Sequence, residues 1–260
     1  MEFTATLLSL VWGALIGSFM NVVVLRLPRS EDIVFERSGC PKCKGKISWY
    51  DNIPIFSFAF LLGKCRNCQQ KISWQYPLFE IWHALLAVYI FSSWITFSNS
   101  QWLEAISAFF IASIFSAHIL IDLRHQLLLD KLNLALVPFV LVIVAINESW
   151  FDAGVGAVIG FGFPLLITWI FYLLRGQIGL GGGDIKLFGI LGLLFGVKGV
   201  LINLFSSCML GSLITIVLMI SGRVKRDQYI PFGPYILITA LIQLLFPDIF
   251  AQWQNFLIPY

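Results

Sequence analysis

The chain has 260 residues, 58% hydrophobic and 12% charged, with a formal net charge of +3 and a mean hydropathy of +0.86. Soluble domains are about 45–50% apolar and about 25% charged. A soluble globular domain is thereby excluded, and so mild a charge gives nucleic acid no footing.

The apolar residues gather in uncharged runs such as 3–25 and 199–221. Runs of about 18 or more read as membrane-spanning helices. The expected fold class is an all-α polytopic membrane protein. Eight spans are read, near 3–25, 79–97, 103–121, 132–147, 153–174, 185–197, 199–221 and 230–247. The sixth and seventh share one apolar stretch and are divided at Gly196-Val197-Lys198-Gly199, where glycines and a charge suit a turn. Only Glu2 is charged before the first run, so the basic start of a secretory signal is missing and the first span is expected to be retained. No internal repeat is found.

Eight alternating spans put 16 of the 17 Lys and Arg residues on one side, in the loops 26–78, 122–131, 175–186 and 222–229; Lys198 alone falls on the other. Basic short loops stay cytoplasmic, which predicts both termini on the far side. Merging spans six and seven would move the three basic residues of 222–229 across. Trp74, Tyr76, Trp94 and Trp102 fall near the expected interfaces, where amphipathic aromatics concentrate.

The first cytoplasmic loop holds CPKC (Cys40, Cys43) and CRNC (Cys65, Cys68), with 21 residues between the pairs. Each Cys-x-x-Cys turn supplies two thiolates, and four close a tetrahedral structural zinc site with no position left for water. A disulfide pair would need an oxidising compartment. Cys208, alone in an apolar span, is expected to be a packing residue.

Ionisable groups in or beside membrane spans are costly and usually functional. His83, His118, Asp122, Asp184 and Lys186 are the candidates. Asp122 closes the third span in AHILIDLRHQLLLDKL, and Asp184 opens the sixth in GLGGGDIKL. Both fall at the cytoplasmic end of their helices, at similar depth. Two carboxylates sharing one proton support metal-free peptide hydrolysis, one as base on water and the other as acid to the scissile carbonyl. The glycines before Asp184 allow close backbone approach to a substrate. A helix start favours an anion and a helix end a neutral acid, which casts Asp184 as the base and Asp122 as the acid. The blander expectations are a helix cap for Asp130, a packed His118, a structural His83, and headgroup anchors in Arg124 and His125.

Together these segments resemble the type IV prepilin peptidase family of membrane aspartic proteases, over nearly the whole chain. GSFMNVVVLRLPR resembles the family's first-span signature. CPKCKGKISWYDNIPIFSF and GKCRNCQQKISWQYPLFE resemble its cysteine loop, IDLRHQLLLDKL its first aspartate segment, GLGGGDIKL its Gly-x-Gly-Asp signature, and IPFGPYI its last-span motif. The resemblance implies Asp122 and Asp184 as the catalytic pair, with Gly181, Gly183 and Lys186 as motif support and Cys40, Cys43, Cys65 and Cys68 as the metal ligands. It implies a first helix (1–27), a methylation-associated cysteine loop (28–78) and a protease core (79–260) in a bacterial inner membrane. It further implies cleavage of prepilin or pseudopilin leaders after a glycine, and methylation of the freed amine by S-adenosyl-L-methionine. The expected partners are these substrates and the lipid bilayer, with no nucleic acid, and the oligomeric state is left open. Leu129 stands where the family commonly has proline. No Rossmann-type glycine loop is present, and no residue is assigned to the methyl donor.

Three rival readings remain. A presenilin-type Gly-x-Gly-Asp protease would carry Tyr rather than Ile121 before the first aspartate. A proton-coupled transporter would place polar residues near the bilayer midplane, where none is expected here. A zinc-ribbon scaffold would use both aspartates only as helix caps.

Overall fold

The computed structural model describes residues 2–36, 38–92, 99–177, 179–223 and 230–250. Residues 93–97 of the expected second span, with Trp94, and the basic residues Arg37, Lys225 and Arg226 lie outside the described residues. Among the described residues the fold is helical, relieved only by two isolated antiparallel bridges, Gly39 with Lys46 and Lys64 with Lys71. In chain order the helices are α1 (Glu2–Arg26), α2 (Phe56–Phe60), α3 (Gln75–Ser92), α4 (Asn99–His125), α5 (Asp130–Ile146), α6 (Trp150–Arg175), α7 (Gly182–Ile220) and α8 (Gly233–Leu245). Among the described residues, four helical segments are long and apolar enough to cross a membrane: Phe3–Arg29, Gln101–His125, Trp150–Arg175 and Gly182–Ile220. The others are shorter.

At 39 residues, α7 is too long for one crossing, and it breaks at Gly196, whose φ of 69° and ψ of −172° are non-helical. Only glycine takes that conformation without strain. Asp152 at the start of α6 stabilises the break, its Oδ1 accepting the Val197 N–H at 3.3 Å. The turn read at 196–199 falls on this glycine.

The chain forms two compact units, Met1–Ala105 and Ile106–Tyr260. In the first, α1 packs on α3 through Gly13 and Gly17, one turn apart. A Cβ at Gly17 would stand 2.9 Å from the Glu80 Cα, and one at Gly13 would strike the His83 carbonyl. Small residues at this spacing let membrane helices approach closely. His83 is buried, its Nδ1 2.8 Å from the Phe79 carbonyl.

In the second unit, Gly156 and Gly160 of α6 meet Gly192 and Phe188 of α7 backbone to backbone. Helices α7 and α8 are joined by polar groups. The Asn203 side chain donates to Thr239 Oγ1 at 3.1 Å, and the Gln243 amide donates to the Gly199 carbonyl at 3.2 Å. Asn203, Thr239 and Gln243 are buried between the two helices. They serve as interhelical glue, which an apolar count along the chain does not reveal.

Candidate active site and metal centre

The two cysteine turns adopt one geometry. The Cys40 N–H donates to the Gly45 carbonyl at 3.0 Å and the Lys44 N–H to the Cys40 carbonyl at 2.8 Å; in the second turn Cys65 donates to Gln70, and Gln69 to Cys65, both at 2.9 Å. Lys44 and Gln69, each four residues after its first cysteine, both take left-handed φ, 54° and 58°. All four Sγ atoms lie within 4.8 Å of one another. The Cys40 and Cys68 sulfurs are 3.8 Å apart, about the edge of a tetrahedron with metal–sulfur bonds near 2.3 Å. The donor set therefore fits a tetrahedral soft cation, and all five cysteines of the chain are free thiols.

Electrostatics inside the cluster are uneven. The Cys43 backbone N–H draws Cys40 down to about 7 against the effect of burial. At Cys68 the Gln70 N–H favours the thiolate, but burial and the three neighbouring sulfurs outweigh it and push the thiol up to about 11. Arg66, inside the second turn, clamps Asp51 with two hydrogen bonds, Nη2 to Oδ1 at 2.6 Å and Nε to Oδ2 at 2.8 Å. That pair ties the knuckle to the turn at Trp49–Asn52. The arginine hydrogen bond holds the Asp51 carboxyl below its ordinary range.

The carboxylates sit at helix ends in the second unit. Asp122 lies one turn before the end of α4, where its carbonyl accepts the N–H of Gln126 at 2.9 Å. Gln126 turns the chain with a left-handed φ of 54°. Asp184 is the third residue of α7, after Gly181 at the N-cap. Its carboxylate lies against the Gly181 backbone. Both side chains are buried, and Asp184 Oδ1 has no hydrogen-bond partner among the described residues. The structure thus places both aspartates at buried helix ends, with Asp184 Oδ1 unpartnered among the described residues.

Glycines and one leucine make room for this pair. A Cβ at Gly183 would stand 2.8 Å from the Leu128 Cβ and 2.9 Å from its carbonyl oxygen; one at Gly181 would stand 3.1 Å from Asp184 Oδ2. Gly233, the first residue of α8, lies on the Asp122 carboxylate, and a Cβ there would also meet Leu128 Cδ1 at 2.9 Å. The Asn133 side chain donates to the Gly183 carbonyl at 3.4 Å. Neither Gly233, within IPFGPYI, nor Asn133 carries a local sequence signal that ties it to the aspartates.

The other candidates fall elsewhere. The Lys186 ammonium donates to Asp130 Oδ2 at 2.7 Å, and both side chains are mostly exposed. Asp130 therefore does not cap α5. The N-cap is Leu129, and Asp130 is the first helical residue, too far along to reach the free N–H groups from the cap position. His118 is fully buried one turn before Asp122, and neither ring nitrogen has a partner among the described residues. Cys208, expected inside the packing, is exposed.

Long apolar helices, a four-thiol cluster and two buried carboxylates define the class as an integral membrane protein. Residues 11–94 match the model of the Bacterial Peptidase A24 N-terminal domain, and residues 108–216 match that of the Type IV leader peptidase family. The prepilin leader peptidase/N-methyltransferase of Aeromonas hydrophila is 33% identical, the match covering 95% of this chain and 93% of the relative. Those of Bacillus subtilis strain 168, at 32% (92% and 93%), and Vibrio cholerae, at 34% (93% and 97%), carry the same name. No solved structure gives a significant match. The chain belongs to the type IV leader peptidase family and is an enzyme, which sets aside the transporter and scaffold readings.

Proposed function

We propose that the protein cleaves the leader of type IV prepilins or pseudopilins after a glycine, at the cytoplasmic face of a bacterial inner membrane, with Asp122 and Asp184 as its catalytic pair. The observation that carries this reading is a pair of buried carboxylates at separate helix ends, whose neighbouring glycines Gly183 and Gly233 both close on Leu128. Asp184, in the first turn of α7 where the helix dipole favours an anion, removes a proton from a water held at its unpartnered Oδ1. Asp122, near the C-terminal end of α4, donates its proton to the scissile carbonyl as the water oxygen bonds to carbon. The tetrahedral intermediate then breaks its C–N bond as Asp184 gives its proton to the leaving amine and Asp122 takes one back from a hydroxyl of the diol, which leaves the carboxylic acid and restores the pair. Gly181, Gly183 and Gly233 let the backbone close on Asp184, Leu128 and the Asp122 carboxylate, which fixes where the two acids stand.

The same reading gives the chain eight crossings, with α7 counted twice across Gly196, α3, α5 and α8 completing the set, and both termini periplasmic. It divides the chain into a first helix (1–27), a cysteine module (28–78) and a protease core (79–260). Cys40, Cys43, Cys65 and Cys68 would hold a zinc ion whose contribution is to fix the fold of the module. The second activity, methylation of the new N-terminus from S-adenosyl-L-methionine, is supported by the names of the relatives. The test is cleavage of a prepilin by purified protein in detergent. Asp122→Asn and Asp184→Asn should each give no product, and a retained rate in either would remove that residue from the chemistry.

A further inference from the structure

Residues 53–63, IPIFSFAFLLG, lie between the two cysteine turns and carry no charge. An apolar run of about 10–14 residues is too short to span a bilayer; it forms either a core helix or an interfacial segment. This one is not core. Phe56, Phe60 and Leu62 are 64%, 83% and 85% exposed. Phe56 and Phe60 stand one turn apart on α2 and so share a face. Trp49 and Trp74, on either side, are exposed as well. A contiguous apolar surface of this kind marks a docking site.

Two further observations name what covers it. The first is height. The Ile55 N–H donates to Glu80 Oε2 at 2.7 Å, and Glu80 sits in the second turn of α3, against Gly17 of the membrane-spanning α1. Ile55 holds a left-handed φ of 64°, uncommon for a β-branched residue, so this bond fixes a conformation the chain would not otherwise choose. The segment is thus pinned within the first turns of the helix pair that enters the bilayer.

The second is charge. Lys64 follows the segment and stands opposite Lys71 across an antiparallel bridge. Like charges directly opposed are destabilising, and among the described residues no carboxylate pairs with either lysine. An anionic surface relieves that repulsion.

We infer that residues 53–63 form an interfacial wedge that seats the cysteine module on an anionic bilayer. Phe56, Phe60 and Leu62 enter the acyl boundary, while Lys64 and Lys71 lie at the headgroups. This is a contact of the module itself, separate from the spanning helices, and it holds the module at one height above the membrane.

The test uses the full-length protein in nanodiscs of phosphatidylglycerol and phosphatidylethanolamine. Phe60 is replaced by photoreactive benzoyl-phenylalanine, a substitution of one exposed aromatic by another, and the adducts are identified by mass spectrometry. Lipid adducts should dominate. Adducts to this chain, to an added prepilin peptide, or quenching by solvent alone would overturn the wedge. In discs of phosphatidylcholine, or with Lys64→Ser and Lys71→Ser together, the lipid adduct yield should fall. A yield unchanged in both arms would overturn the anionic contact.

Discussion

Gly233 rests directly on the Asp122 carboxylate, and a side chain there would occupy the position of the acid itself. Gly183 is confined in the same way by Leu128, whereas Gly182 between the two signature glycines faces open space. These contacts separate three glycines that look alike in the sequence. Gly233→Ala and Gly183→Ala should each cost about 1–3 kcal/mol of overpacking and lower prepilin cleavage by about a hundredfold through displaced carboxylates. Gly182→Ala should cleave close to the parent rate. Steady-state rates for the three variants check the contrast, and a Gly182 variant as impaired as the others would refute it.

Burying two carboxylates is unfavourable to the fold, because desolvation opposes the anion. Asn removes the charge at nearly constant shape. Asp122→Asn and Asp184→Asn should therefore be inactive and yet at least as stable as the parent, by about 0.5–2 kcal/mol each. Thermal unfolding in detergent measures this. Inactive variants that unfold earlier than the parent would show that the carboxylates hold structure rather than perform chemistry.

Much of this was legible because membrane physics writes itself into composition. Uncharged runs mark spans, and the glycine and charge at 196–199 marked the break that Asp152 stabilises in α7. The thiolate spacing announced a cluster, and the relatives confirm the family that the five motifs suggested. The remainder depended on groups far apart in the chain. Lys186, two residues from Asp184, turns to Asp130 instead, an exposed pair worth about 0–1 kcal/mol. Asn203, Thr239 and Gln243 look like isolated polar residues until α7 and α8 pack. Gly233 reaches Asp122 across 111 positions, a contact that no local pattern encodes.

Leu129 departs from the family's proline, yet its backbone has kept the shape. At the N-cap of α5 its φ is −80° and ψ 124°, within the range proline imposes. Its N–H enters no backbone hydrogen bond among the described residues. Leu129→Pro should therefore stabilise the protein by about 0.4–1 kcal/mol through the unfolded chain, with cleavage retained. A lowered unfolding temperature would show that the 126–129 turn needs a conformation closed to proline.

The cysteine cluster should load its metal in a strongly pH-dependent manner. Cys40 is held down to about 7, so its thiolate is present above that value and protonates as the pH falls through it. Cys68 is pushed up to about 11, so at neutral pH it keeps its proton until a cation displaces it. Metal ligands must be deprotonated and binding releases the protons. Near pH 8 zinc affinity should rise at least about tenfold per pH unit from Cys68 alone, and below pH 7 at least about a hundredfold, because Cys40 must then be deprotonated too. Competition with a chelator across pH 6–8 measures the slope. The same titration on Cys68→Ser should lose one proton's worth of it. A pH-independent affinity in the parent would mean that the four sulfurs do not act together as the ligand set.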